Sequence, residues 1–95
     1  MVEKPDWTHG GQHMFSTHGV TVAEANEALD DVQRIEIIPD YNSRSGLTTR
    51  TIGHSATAGC LLSIITLTDN GTIYVVNGWK SNSRDRTIYQ EAKHQ

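Results

Sequence analysis

The chain has 95 residues, a single cysteine, 36% hydrophobic residues and a formal net charge of −3. That length makes one small domain, residues 1–95, and lone Cys60 excludes an intrachain disulfide framework and fits a reducing compartment. No apolar stretch approaches the roughly 20 residues of a membrane span and no signal-peptide core opens the chain, so it reads as cytoplasmic, without a membrane partner.

Charge is unevenly spread. Residues 1–40 carry eight acidic side chains against Lys4 and Arg34, whereas residues 41–95 carry six basic against three acidic. This predicts a dipolar molecule with an acidic helical side and a basic sheet edge; ordinary solvated charge is the plain alternative.

In chain order, residues 6–17 come first. Gly10-Gly11 costs a helix roughly 2 kcal/mol against alanine, yet Trp7, His13, Met14 and Phe15 predict a short helix or turn that buries an aromatic edge. Residues 21–32 predict the clearest helix. Thr21 caps it, Glu24 completes a capping box, and Val20 staples onto Ala25. Val22, Ala25, Ala28, Leu29 and Val32 form its apolar stripe, with Glu24, Glu27, Asp30 and Asp31 on the other face.

Strands follow. Arg34 to Pro39 alternates imperfectly, Asp40 to Leu47 is a polar loop, and Thr48 to His54 is β-rich. Cys60 to Thr68 is apolar on both faces and predicts a central strand. Asp69-Asn70-Gly71 marks a hairpin turn into a partner strand over Thr72 to Gly78. Asn82 or Ser83 caps a last helix over 83–93, with Asp85 in its first turn and Ile88, Tyr89 and Ala92 inward. The class is α+β: a small four-stranded antiparallel sheet with two N-terminal helices and one C-terminal helix.

Trp79, Lys80, Arg84, Arg86 and Tyr89 crowd the junction between the last strand and the last helix. An aromatic among fixed cations at a sheet rim suits a phosphate backbone and splayed bases. A solvated helix face beside a packed aromatic is the bland reading.

The order of landmarks adds to this. His18-Gly19-Val20 leads into an acidic helix ending Ala28-Leu29-Asp30-Asp31. Arg50-Thr51-Ile52-Gly53 and Leu61-Leu62 follow, and Arg84-Asp85-Arg86-x-x-Tyr89 closes the series. From Trp7 to about Tyr89 the succession resembles the BrnT-type toxins of bacterial type II toxin–antitoxin pairs. The resemblance implies a RelE-like fold and an endoribonuclease that needs no metal or cofactor. It also implies a cognate antitoxin, itself a DNA-binding protein. Where the family has a Ser-Ala-Arg-Lys-like step, this chain has Asn77-Gly78-Trp79-Lys80. The alternative is therefore a catalytically inactive RelE-like binding module in a regulatory or RNA-associated complex.

Metal-free cleavage needs cations on the phosphate and a proton donor and acceptor. Arg50, Lys80 and Arg84 are the candidate phosphate ligands, because a guanidinium fork meets two oxygens at once. His54, which shares a strand face with Arg50, and His18 are the candidates for acid–base help. Trp79, Arg86 and Arg44 are candidates for contact with RNA. Each has a plain reading as well: His18 in a turn, His54 ending a strand, Arg50 paired with a carboxylate such as Glu36. His9 and His13 have helical metal-ligand spacing, but Gly10-Gly11 between them argues against a site, and no metal is expected. Self-association stays open.

Overall fold

The computed structural model describes residues 18–93. Within them lie α1 (Val22–Leu29), β1 (Ile35–Ile37), β2 (Thr48–Ser55), β3 (Cys60–Asp69), β4 (Thr72–Lys80) and α2 (Ser83–Lys93). The strands form one antiparallel sheet in the order β1-β2-β3-β4. The α+β class and the four-stranded antiparallel sheet stand as expected. The pair of N-terminal helices does not: among the described residues a single helix precedes the sheet. The short helix or turn expected over residues 6–17 lies outside them, as do His9 and His13.

Helix α1 starts where its cap dictates. The Thr21 hydroxyl accepts the Glu24 N–H at 3.1 Å, and the Glu24 carboxylate accepts the Thr21 N–H at 2.9 Å. It ends at Leu29, three residues short of the expected stop. The cause is Asp31, whose carboxylate is captured by the backbone N–H groups of Gln33 and His54. Val32 therefore swings out of the apolar stripe and is 93% exposed. At the β3–β4 hairpin, Asn70 and Gly71 both take positive φ, 52° and 81°, which a two-residue type I′ turn demands.

Cross-strand partners share a face of the sheet, and the register sorts the side chains. Gly53, Leu62 and Lys80 lie in one row, Ile52, Ser63 and Trp79 in the next, on the opposite face. The first face meets α1. Val20, Ala25, Ala28, Leu62, Ile64 and Val75 form its apolar core, with Leu29, Ala58 and Cys60 packed around them. Contact is so close at Gly53 that a β-carbon there would fall on the Ala28 carbonyl. The second face meets α2 and is polar at its centre.

Two members of the acidic stripe, Glu27 and Asp31, are half-buried and tied to other elements. The Glu27 carboxylate accepts the Ser55 hydroxyl at 2.7 Å, the Thr57 hydroxyl at 2.7 Å and the Thr57 N–H at 2.9 Å, which fixes the β2–β3 turn. These bonds, the one from Ser55 first, lower the Glu27 pKa.

Gly53→Ala should destabilise the fold by about 1–3 kcal/mol, because the helix must lift off the sheet to admit one methyl group. A urea-denaturation midpoint unchanged from the wild type would show that α1 does not rest on this glycine.

Candidate functional site

Arg50 sits at the middle of β2, opposite Ile37 and Ile65, and is 1% exposed. A buried guanidinium needs partners, and it has them from three directions. Its Nε donates to Asp40 Oδ1 at 2.6 Å. Its Nη1 donates to Asp85 Oδ2 at 2.6 Å and to the Tyr41 hydroxyl at 2.8 Å. Asp40 and Tyr41 follow β1. Asp85 enters from the first turn of α2, where Asn82 Oδ1 accepts its N–H at 2.8 Å and caps the helix.

Asp85 collects further donors. Tyr41 donates its hydroxyl to Oδ1 at 2.6 Å, and Ser63 donates to Oδ2 at 2.6 Å. Ser63 Oγ lies 2.7 Å from Ser81 Oγ. Because the Ser63 proton is committed to Asp85, Ser81 is the donor in that pair. The result is a continuous chain, Ser81 to Ser63 to Asp85, joined through Tyr41 and Arg50 to Asp40.

Charge states follow from these partners. Burial pushes the Asp85 carboxyl up, but hydrogen bonds from Ser63, Tyr41 and Arg50 outweigh it and hold the pKa below the usual value. Burial disfavours the Arg50 charge, yet the two aspartates hold its pKa above the ordinary value. Burial and the bond to Asp85 raise the Tyr41 phenol. All three groups are fixed in their neutral-pH forms: anion, cation and neutral phenol.

An aromatic rim surrounds this centre. The Arg50 Cζ lies 4.1 Å from the Tyr41 ring centroid and 5.3 Å from that of Trp79. Exposed Arg84 lays its own Cζ 3.9 Å from the Tyr41 centroid. The His18 ring stands 5.7 Å from Trp79, tilted by 60°. Tyr41 thus carries two guanidinium groups, one interior and one facing water.

The expected residues therefore divide. Arg50, Trp79 and Arg84 come together, with His18 beside Trp79. Arg50 is neutralised, as its plain reading allowed, but by Asp40 and Asp85; Glu36 pairs with Arg34 instead. Lys80 is exposed on the α1 face, opposite Arg50. His54 shares the Arg50 face but lies four residues along β2, about 13 Å at strand spacing. It borders a groove of about 340 Å³ with Asp31, Leu61 and Tyr89. Arg86 donates to the Ser81 carbonyl at 2.8 Å and clamps the link into α2. Arg44 stands exposed in the β1–β2 connection. Asp40, Tyr41, Ser63, Ser81 and Asp85 are network members the sequence reading did not place there.

Asp31 is a second anchor. Besides two backbone N–H groups it accepts the Tyr89 hydroxyl at 2.7 Å, joining α2 to the end of α1. Burial raises its carboxyl pKa, but the bonds from His54, Gln33 and Tyr89 hold it below the usual value. Burial and the Asp31 bond push Tyr89 up to about 12. Among the described residues no three His, Cys, Asp or Glu side chains are grouped to hold a metal, and no helix is long and apolar enough to cross a membrane. No family model matches the chain, and no curated protein matches it.

Arg50→Met should cost about 3–5 kcal/mol, because it strands two buried carboxylates; a loss under 1 kcal/mol in urea would refute the network's structural weight. Asp85 and Asp31 have lowered folded-state pKa values, so their contribution is present above the ordinary carboxylate range, about pH 4, and is lost as pH falls below it. Stability measured from pH 7 to 2 should fall there, and fall less steeply in Asp85→Asn. Tyr89 has a raised pKa, so its contribution is present below about pH 10 and is lost as pH rises towards 12. Phenolate absorbance should show a late component near pH 12 that Tyr89→Phe removes.

Proposed function

We propose that this chain is a RelE-like binding module in a toxin–antitoxin or RNA-associated complex, and that it holds RNA without cutting it. The single observation that carries the reading is the state of Arg50. The most rigidly placed cation of the sheet is saturated by two carboxylates and a phenol, each bond 2.6 to 2.8 Å long. While Asp85 is in place, a guanidinium so engaged has no unshared charge for a scissile phosphate. The second sheet cation, Lys80, belongs to the opposite face, so the charge cluster that phosphodiester cleavage needs is divided.

The outer rim supports binding. Arg84 is exposed, makes no ion pair among the described residues, and holds its guanidinium carbon over the Tyr41 ring. Trp79 is half-buried at the end of β4, and in this reading it is the aromatic on which a base stacks. In this reading the module works in the cytoplasm, beside a DNA-binding antitoxin-like partner. The endoribonuclease reading keeps one observation in its favour: Lys80, Arg84 and His54 all reach solvent.

One experiment separates the two. A labelled single-stranded oligoribonucleotide, incubated with purified protein and EDTA, should stay intact while its fluorescence anisotropy rises. Trp79→Ala and Arg84→Ala should each weaken binding about tenfold, in line with about 1–3 kcal/mol for a stacked base. Cleavage in EDTA that disappears in Lys80→Ala would establish the enzyme instead; neither binding nor cleavage would refute both.

A further inference from the structure

Three hydrogen-bond donors converge on one buried anion at the centre of the second sheet face. Arg50 Nη1 and the Ser63 hydroxyl each stand 2.6 Å from Asp85 Oδ2, and the Tyr41 hydroxyl stands 2.6 Å from Oδ1. The donors come from β2, β3 and the β1–β2 connection. The anion alone comes from α2. We propose that Arg50, Ser63 and Tyr41 form a cradle for a phosphate ester, and that Asp85 is its built-in, displaceable occupant.

The chemistry of the donors points to a phosphoryl group. A guanidinium edge and two hydroxyls match an anion with several acceptor oxygens. Asp40 stays on Nε and fixes the fork, so that Nη1 keeps a hydrogen-bond donor aimed at whatever anion stands in the place of Asp85. A phosphodiester carries the same single charge as the carboxylate it replaces, so the exchange leaves the charge of the site unchanged.

The architecture allows the exchange. The apolar core on the α1 face contains no residue of α2. The hydrogen bonds that hold α2 are Asp85 on Arg50, Tyr89 on Asp31, and Arg86 on the Ser81 carbonyl, and Tyr89 is buried as well. A helix docked by exchangeable bonds can yield to a competing anion with the rest of the sheet intact. The inference rests on the RNA-associated reading only for the source of the phosphate.

Asp85→Ala empties the cradle. Dimethyl phosphate, a singly charged phosphodiester, should raise the Tm of this variant by roughly 5 °C or more over sodium chloride at equal ionic strength. The rise should vanish when Arg50→Met is added. No rise specific to the phosphodiester overturns the cradle. Should Asp85→Ala be unfolded in chloride, recovery of its near-UV circular dichroism in dimethyl phosphate supports the proposal, and no recovery overturns it. An eight-nucleotide single-stranded oligoribonucleotide separates the sources. A rise with both probes assigns the cradle to an RNA backbone, and a rise with dimethyl phosphate alone assigns it to small phosphate esters. In the wild type, dimethyl phosphate should speed amide exchange across residues 86–92 at least fivefold while β3 is unchanged; unaltered α2 exchange shows Asp85 to be fixed and overturns its displacement. Dimethyl phosphate has no base to stack on the rim, so RNA binding there can fail while the cradle stands.

Discussion

One ion triad organises the second half of this fold: Asp40 and Asp85 on either side of Arg50, at 2.6 Å each. Removing three charges from water is expensive, and their mutual attraction recovers that cost only if every lone pair and proton is engaged. Here the requirement is met. No described buried side-chain nitrogen or oxygen lacks a hydrogen-bond partner. The engagement dictates geometry, since Tyr41, Ser63 and Ser81 must all stand where the aspartates need donors. A network of this kind specifies one arrangement sharply while adding little net stability.

The two faces of the sheet are thus held by different physics. On the α1 face, small side chains let helix and sheet meet at backbone distance, with Ala25, Ala28 and Gly53 all fully or nearly fully buried. Burial of apolar surface is non-directional and tolerates small shifts. On the α2 face Ile52, Ile65 and Tyr89 are buried too, but directional charge-assisted bonds occupy the centre. The division accounts for the acidic side chains too. Glu27 and Asp31 are not a solvated stripe but ties, one to the β2–β3 turn and one to α2. Acid therefore attacks the molecule at its seams before it touches the apolar core.

Local chemistry made much of this legible. The Thr21–Glu24 box, the Asn70-Gly71 turn and the span of α2 each depend on residues within a few positions of one another, and each is found as read. The long apolar run from Cys60 pairs on both sides, as a central strand must. What was not legible depends on distance along the chain. Asp85 meets Arg50 across 35 residues and Tyr89 meets Asp31 across 58, and no periodicity encodes such pairs. Asp85 looked complete as a first-turn residue of a helix. Ser63 did carry a signal: a hydroxyl inside Leu61-Leu62-Ser63-Ile64-Ile65 must find a buried partner. The other expected N-terminal helix rested on residues 6–17, which lie outside the described residues.

Placing a cation at the heart of a sheet has a functional consequence that depends on its counter-ions. An arginine with one carboxylate keeps part of its fork for a ligand; with two carboxylates and a phenol it keeps almost none. Asp40 and Asp85 differ in this respect. Asp40 lies in the β1–β2 connection, ten residues before Arg50, and its backbone N–H is itself bonded to the Thr48 carbonyl at 2.8 Å. Asp85 belongs to a separate element, the helix α2, which is docked by this network together with buried Tyr89 and its bond to Asp31. Chemistry at this site is therefore decided less by which residues line it than by whether α2 is docked. Arg84 lies on the same helix, one residue before Asp85, with its guanidinium on the Tyr41 ring. Any motion that withdraws Asp85 also lifts Arg84 from Tyr41, while Trp79 keeps its place at the end of β4.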